Sequence, residues 1–295
     1  MRVGVQLPEV ERVVRWPELA EMARAIEDGG FDSIWVGDHL LYRHPDGVVG
    51  PWEAWATLTA VAAITERVTL GPLVAALPFH NPALLAKQVA TVHEISGGRL
   101  SFGVGAGWNQ TEFDAFGLPY QRRVDRFEDS IGVIRRLLAG ETVTHHSEFV
   151  TLTDCVLKPA SRFGGPPIFV GSNSSRMLAI TLPWVDGWNT WFDGFDNDPA
   201  TLASLAARID RACAEVGRDP VTLDKSAAVL VQFGRPPAIS RGSAPWRGSS
   251  VQLAERLAEV AAAGVDHVQL VLDPITLGSI ETAAEMLGEF RSQSR

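Results

Sequence analysis

The sequence predicts an α/β protein, a single-domain (β/α)8 TIM barrel spanning 1–295 with loop insertions at its C-terminal mouth. Three observations carry this. Short β-branched runs alternate with amphipathic stretches from end to end, 295 residues is about the length at which one barrel closes, and no composition break or internal repeat divides the chain.

The first strand runs from Arg2 to Leu7. Pro17 opens a helix with an apolar face of Leu19, Met22, Ala23 and Ile26, and Gly29 and Gly30 end it where a left-handed residue is needed. Strand two is Ser33 to Val36, followed by a helix over about 51–63 and strand three, Val68 to Leu73. Asn81 and Pro82 have the form of a cap and first turn, before a helix that buries Leu85, Val89, Val92 and Ile95. Strand four is Leu100 to Val104. A helix over 124–138 then leads to a small hairpin at 145–157, outside the main alternation.

Strand five, Ile168 to Val170, is followed by a helix near 177–182, a strand over 187–190 and a helix over 200–216. The chain closes with a strand over 227–232, a helix over 251–263, the strand His267 to Leu272 and a last helix near 280–290. Residues 233–250 are rich in Pro, Gly and Ser and read as a mobile loop, a lid.

Composition narrows the function. With 46% hydrophobic and 21% charged residues, the chain is an ordinary globular protein. A formal charge of −9 with no Lys/Arg cluster argues against nucleic acid, and the absence of a long apolar run argues against a membrane span, so the protein reads as cytoplasmic. A small-molecule partner is left. An anionic one would have to be met by local groups such as Arg43, Arg162 or Arg176, or by helix N-termini. Cys155 and Cys213 have no metal-ligand spacing, and no metal site is expected.

In a barrel the chemistry collects where strands pass into βα loops. Strand two ends in Gly37, Asp38 and His39; here either the carboxylate orients the imidazole for proton transfer, or Asp38 caps a turn and His39 is a rim histidine. Strand four ends in Gly105, Ala106, Gly107, Trp108 and Asn109. Trp108 stands where the third glycine of a dinucleotide fingerprint would fall, so what remains is a turn that lets a flat ring or a phosphate approach the backbone, or a plain tight turn. Strand five ends in Gly171, Ser172, Asn173 and Ser174 ahead of a helix, either a phosphate cradle or an N-cap. Glu112 either caps the loop after Trp108 or faces the mouth; His93, His145 and His146 read as packing or surface residues.

Three segments, FDSIWVGDHL at 31–40, the run from Val68 to Phe113, and PPIFVGSNSSRMLAI at 166–180, resemble the luciferase-like monooxygenase superfamily, in its coenzyme F420-dependent branch. The likeness covers nearly the whole chain. It implies a non-prolyl cis peptide between Leu73 and Val74 against the deazaflavin ring, with Pro72 departing from the commoner small polar residue. It also implies Asp38 and His39 beside the ring, Gly105 to Asn109 along the cofactor's polar edge, Gly171 to Ser174 on its phosphate, and a homodimer.

The activity it implies is hydride transfer between F420 and a small organic substrate, with His39, oriented by Asp38, moving the proton and Trp108 and Trp188 as apolar walls or packing. The rivals are an FMN-dependent monooxygenase of the same superfamily, using reduced flavin and oxygen, and a deazaflavin-binding protein without catalysis.

Overall fold

A computed structural model describes residues 1–45, 47–234 and 242–293. In chain order the elements are β1 (Arg2–Gln6), α1 (Trp16–Asp28), β2 (Ser33–Val36), β3 (Tyr42–His44), β4 (Gly47–Val49), α2 (Ala54–Ile64), β5 (Thr69–Pro72) and β6 (Ala75–Ala76). Next come α3 (Pro82–Ile95), β7 (Phe102–Gly105), α4 (Gln110–Phe116), α5 (Arg123–Leu138), β8 (Val143–His146), β9 (Thr151–Cys155), β10 (Ile168–Gly171) and α6 (Ser175–Thr181). The last are β11 (Gly187–Thr190), α7 (Pro199–Glu215), β12 (Asp224–Gln232), α8 (Ser250–Ala262), β13 (His267–Asp273) and α9 (Leu277–Gln293).

The chain forms two compact units, Met1–Trp35 with Arg67–Thr69 and Phe169–Arg295, and Val36–Glu66 with Leu70–Ile168. In the first, β1 pairs in parallel with β2 and β13, and β12 pairs with β13 and β11, which pairs with β10. These strands read as near-continuous apolar runs because helices cover parallel sheets and leave few solvent-facing positions; every residue of β13 is buried.

The polar exceptions inside the first unit satisfy one another. Asn189 Nδ2 donates to Ser226 Oγ and to Gln269 Oε1, both at 2.9 Å. Ser33 Oγ accepts from Trp35 Nε1 at 2.7 Å and lies 2.7 Å from His267 Nε2. The Ser33 hydroxyl, with one proton and two lone pairs, thus links the indole of Trp35 to the imidazole of His267. Burial, and then the charge of Arg2, push the His267 pKa down to about 3.

In the second unit, α3 is capped by Asn81, whose side chain accepts from the N–H groups of Ala83 and Leu84, and Glu53 does the same for α2. Arg99 closes the other ends, donating to the carbonyls of Ala62, Thr65 and Ser96. Trp55 meets Phe102 edge-on at 5.8 Å, within a core of Leu58, Val61, Leu85, Val89, Phe127, Ile131 and Ile134. β6 pairs with β7 through Ala75 and Val104.

Most of the expected elements lie within a few residues of where the sequence puts them, with departures of three kinds. Strand three is split into β5 and β6, and the peptide between them, Leu73–Val74, is cis. The hairpin expected at 145–157 is β8 with β9 and starts at Val143. The β3–β4 hairpin and helix α4 are additions to the expected order, too short to show a period in the sequence.

The lid expected at 233–250 falls partly at 235–241, outside the described residues. Its described far end is anchored within the first unit. Trp246 is buried beside Val231, with its indole N–H on the Asn197 carbonyl at 2.6 Å, and Ser243 donates to Asp193 at 2.9 Å. Both cysteines are free thiols, Cys213 buried and Cys155 half-buried.

Because the folded pKa of His267 lies below the ordinary 6.5, the unfolded chain binds the extra proton in the window between these values. Stability from this group is full above pH 6.5 and is lost as pH falls toward 3. Between pH 7 and pH 5 the loss is about 2 kcal/mol. Urea unfolding at the two pH values checks it, with His267→Gln expected to remove this component of the pH dependence.

Candidate active site

The chemistry-bearing side chains of the second unit gather where β2 ends. Asp38, buried at 4% exposure, accepts the Ala76 N–H at 2.9 Å through Oδ2, and the same oxygen lies 2.8 Å from His80 Nε2. Leu73 N–H donates to the Val36 carbonyl at 2.8 Å. Leu73 and Val74 are thereby tied to the Asp38 segment at both sides of their peptide bond. Burial works against a charge on His80, but the hydrogen bond and charge of Asp38, helped by Glu53, outweigh it and raise the pKa.

His39 faces a different carboxylate. Its Nδ1 lies 2.8 Å from Glu112 Oε1, and Glu112 Oε2 accepts the Leu40 N–H at 2.5 Å. Glu112 is in the first turn of α4 and is fully buried. The expectation was that Asp38 orients His39; the hydrogen bonds found join Glu112 to the imidazole and Asp38 to β6 and His80. Of the two readings of Glu112 as a cap or a mouth residue, neither describes its role as a clamp on His39 and Leu40.

The turn after β7 is held by its carbonyls. Arg123 Nε donates to the Gly107 carbonyl at 3.0 Å and Tyr120 Oη to the Trp108 carbonyl at 3.3 Å. Gly107 has φ +71°, and a Cβ there would come within 3.0 Å of the Phe113 ring, so the turn requires glycine for backbone and for space. Gly105 and Ala106 lead into it at the end of β7, where Ala76 pairs with Gly105. Asn109 stands at the N-cap of α4 but sends its amide to the Leu41 carbonyl at 3.2 Å. Trp108 projects with 63% exposure, its ring 5.8 Å from His39, while Tyr42 of β3 lies 5.0 Å from His39 on another side.

In the first unit, Ser174 caps α6 by accepting the Met177 N–H at 3.3 Å, and Ser172 Oγ accepts the Ser174 N–H at 3.2 Å. Gly171 ends β10. Asn173 donates through Nδ2 to Thr190 Oγ1 at 2.9 Å, leaving its buried Oδ1 without a hydrogen-bond partner. Trp188 is fully buried, with its indole N–H on the Ser172 carbonyl at 2.9 Å. It is a packing residue that ties the loop, and the alternative of an apolar wall is set aside. His145 pairs with Asp129 beneath the β8–β9 hairpin, and buried His93 has a pKa lowered by that burial. Among the described residues no cluster of His, Cys, Asp or Glu is arranged to hold a metal ion.

The model of the luciferase-like monooxygenase family matches residues 1–241. The chain belongs to this family. Relatives include a 5,10-methylenetetrahydromethanopterin reductase of Methanolobus tindarius, 28% identical over 83% of this chain and 69% of its own length. An F420-dependent hydroxymycolic acid dehydrogenase of Mycobacterium tuberculosis is 30% identical over 83% of this chain and 66% of its own length. A reductase of the first kind from Archaeoglobus fulgidus is matched over 52% of its length, so the chain spans about half to two-thirds of such relatives.

Among solved structures, an F420-dependent secondary alcohol dehydrogenase in complex with an F420-acetone adduct aligns with a TM-score of 0.83 at 19% identity, over 98% of this chain and 99% of the other. The EDTA monooxygenase of Chelativorans sp. aligns equally well, TM-score 0.83 at 13% identity, over 99% and 94%. The fold class is thus the (β/α)8 barrel of luciferase-like proteins. At these identities the structures speak for the fold alone.

His80 and Glu112 are the residues that sequence reasoning did not place. His80 sits beside the cap Asn81 in a run that reads as loop, and Glu112 is brought to His39 only by tertiary folding. The raised pKa of His80 has a checkable consequence. Its bond to Asp38 stabilises the folded state fully below pH 6.5 and the stabilisation is lost as pH rises through the raised folded value. His80→Gln is expected to lower the thermal midpoint more at pH 6 than at pH 9, read by circular dichroism at both values.

Proposed function

We propose that the protein is an F420-dependent oxidoreductase that transfers hydride between the deazaflavin and a small organic substrate, with His39 moving the proton. The observation that carries this reading is the His39–Glu112 pair at the end of β2, next to the residues Val36 and Asp38 that bind the Leu73–Ala76 segment. Family membership and relatives named as F420-dependent enzymes support it.

The residues present fit the cofactor. Leu73 and Val74 are the apolar side chains that a flat ring would lie against, and Asp38, His39 and the Gly105–Asn109 backbone are the polar groups that would border it. The bound deazaflavin supplies a ring carbon that carries a hydride. The protein contributes position and proton movement. Glu112 holds His39 through Nδ1, so the opposite edge of the ring, at Nε2, is the one assigned to the reacting atoms. The second Glu112 oxygen fixes the Leu40 N–H, so that imidazole and backbone move together.

Asp38 acts as a positioning residue, joining the end of β2 to β6 and to His80. On its own chemistry the loop of Gly171, Ser172, Asn173 and Ser174 is proposed to receive a phosphate. Its hydroxyls and the half-satisfied amide of Asn173 support this, since exchanging the amide's oxygen and nitrogen would keep the bond to Thr190 and turn the orphan acceptor into a donor.

Equilibrium binding followed by F420 fluorescence tests the reading. Binding of F420 at micromolar or tighter affinity, and not of FMN, is expected; preference for FMN would transfer the protein to oxygen-using chemistry. His39→Ala is expected to lower kcat by about 100-fold to 10,000-fold with little change in F420 affinity. Glu112→Gln is expected to displace the pH profile of kcat, which a residue serving only the packing of α4 would leave in place. A His39→Ala protein that binds F420 and shows undiminished turnover would exclude the proton-transfer role.

A further inference from the structure

A cavity of about 310 Å³ lies between α6 and α7 in the first unit. Its two ends differ. Arg208 donates to the Asn173 carbonyl at 3.3 Å, which sets this part of α7 beside the start of α6, where Asn173 and Ser175 line the cavity. Arg218, just past the end of α7, donates to the Leu182 carbonyl at 2.8 Å, so Leu182, Glu215 and Val216 lie at the other end. Leu178, Ala179 and Ala212 form the stretch between, and Leu178 and Leu182 are buried. One end is therefore polar and cationic, and the wall beyond it is apolar as far as Glu215.

Arg208 and Arg211 stand three residues apart on α7, on one side of the helix, and both line the cavity. Like charges at this spacing cost stability unless something offsets them. The acids nearby do not. Asp210 is paired with Lys225 at 2.8 Å, and Glu215, one turn beyond Arg211, forms no ion pair with it among the described residues. The guanidinium of Arg218 is committed to the carbonyls of Leu182, Val185 and Thr222. In a chain of formal charge −9, this leaves two exposed guanidinium groups above a buried aliphatic wall.

We infer that the cavity between α6 and α7 binds an aliphatic monocarboxylate, with the carboxylate between Arg208 and Arg211 and the chain along Leu178, Ala212 and Leu182. Guanidinium groups match a carboxylate in charge and in the spacing of their donors. Each methylene that the apolar wall covers adds up to about fourfold in affinity. Glu215 at the far end repels a second carboxylate, so a dicarboxylate of the same length is disfavoured.

Binding at this place is independent of the proposed oxidoreductase reading and is measured without turnover. Octanoate, octanamide, suberate and acetate are titrated into the full chain by isothermal titration calorimetry. Octanoate is expected to bind at least about tenfold more tightly than octanamide, which lacks the charge, than suberate, which brings a second charge toward Glu215, and than acetate, which lacks the chain.

Arg211→Ala, which puts a good helix former at an exposed position, is expected to weaken octanoate about tenfold and to leave octanamide unchanged. Arg208→Ala is expected to act in the same direction. Glu215→Gln is expected to bring suberate close to octanoate in affinity. A chain that does not bind octanoate, that binds octanamide or suberate equally well, or that keeps its octanoate affinity in both arginine variants would overturn the inference while leaving the oxidoreductase reading in place. Displacement of octanoate by F420, but not by the deazaflavin stripped of its phosphate and acidic side chain, would assign the cavity to the cofactor's own side chain and overturn it as well.

Discussion

The Glu112 carboxylate, fully buried on a short helix, is the constraint on which the arrangement around His39 depends. A carboxylate taken out of water costs several kcal/mol unless its oxygens are met by donors. Here each oxygen has one, His39 Nδ1 and the Leu40 N–H. The helix that carries Glu112 is too short to be stable alone and is ended by Gly117 in a left-handed turn. It is held where it is by contacts that include Phe113 against Phe79 and Tyr120. The same Phe113 ring lies against the space above Gly107. The turn after β7, helix α4 and the orientation of His39 are consequently one packing problem with one solution.

Two imidazole–carboxylate pairs meet at adjacent residues of one chain segment and do different work. Asp38 and His39 are neighbours in sequence, and consecutive side chains of an extended chain point to opposite sides. Adjacency therefore counts against their pairing with each other. Asp38 turns toward β6 and His80, His39 toward α4, and each finds a partner far along the chain, at separations of 42 and 73. The Asp38 pair acts on the backbone, through Ala76 N–H, whereas the Glu112 pair fixes a ring that stands among Tyr42 and Trp108.

The legible parts of this chain are those where a local rule has no competitor. Asn81 followed by proline does cap a helix, Gly30 does take the left-handed conformation after α1, and the strands of the first unit are the apolar runs that covered parallel sheets require. What escapes is short or tertiary. The three-residue strands β3 and β4 hold too few residues to show alternation, yet they bring Tyr42 to His39. Strand ends point to the polar residues of the site, but their pairing depends on distances that spacing along the chain does not contain. Trp188 shows the reverse failure: an aromatic residue near a strand end has two readings, and burial with an indole bond to the Ser172 carbonyl decides for packing.

Polarity inside a strand has a structural use as well as a chemical one, and exposure separates the two. In the first unit Ser33, Trp35 and His267 form a buried set around an imidazole that burial keeps neutral. Asn189, Ser226 and Gln269 form another. Neither has an exposed member. Around His39, Glu112 closes one side of the ring, while the aromatic side runs out to the exposed Trp108. A histidine held at Nδ1 and bordered by Tyr42 and the exposed Trp108 has the setting that the proposed proton transfer asks for. That combination, more than the presence of a histidine and an acid in sequence, separates the candidate active residue from the chain's other buried imidazoles.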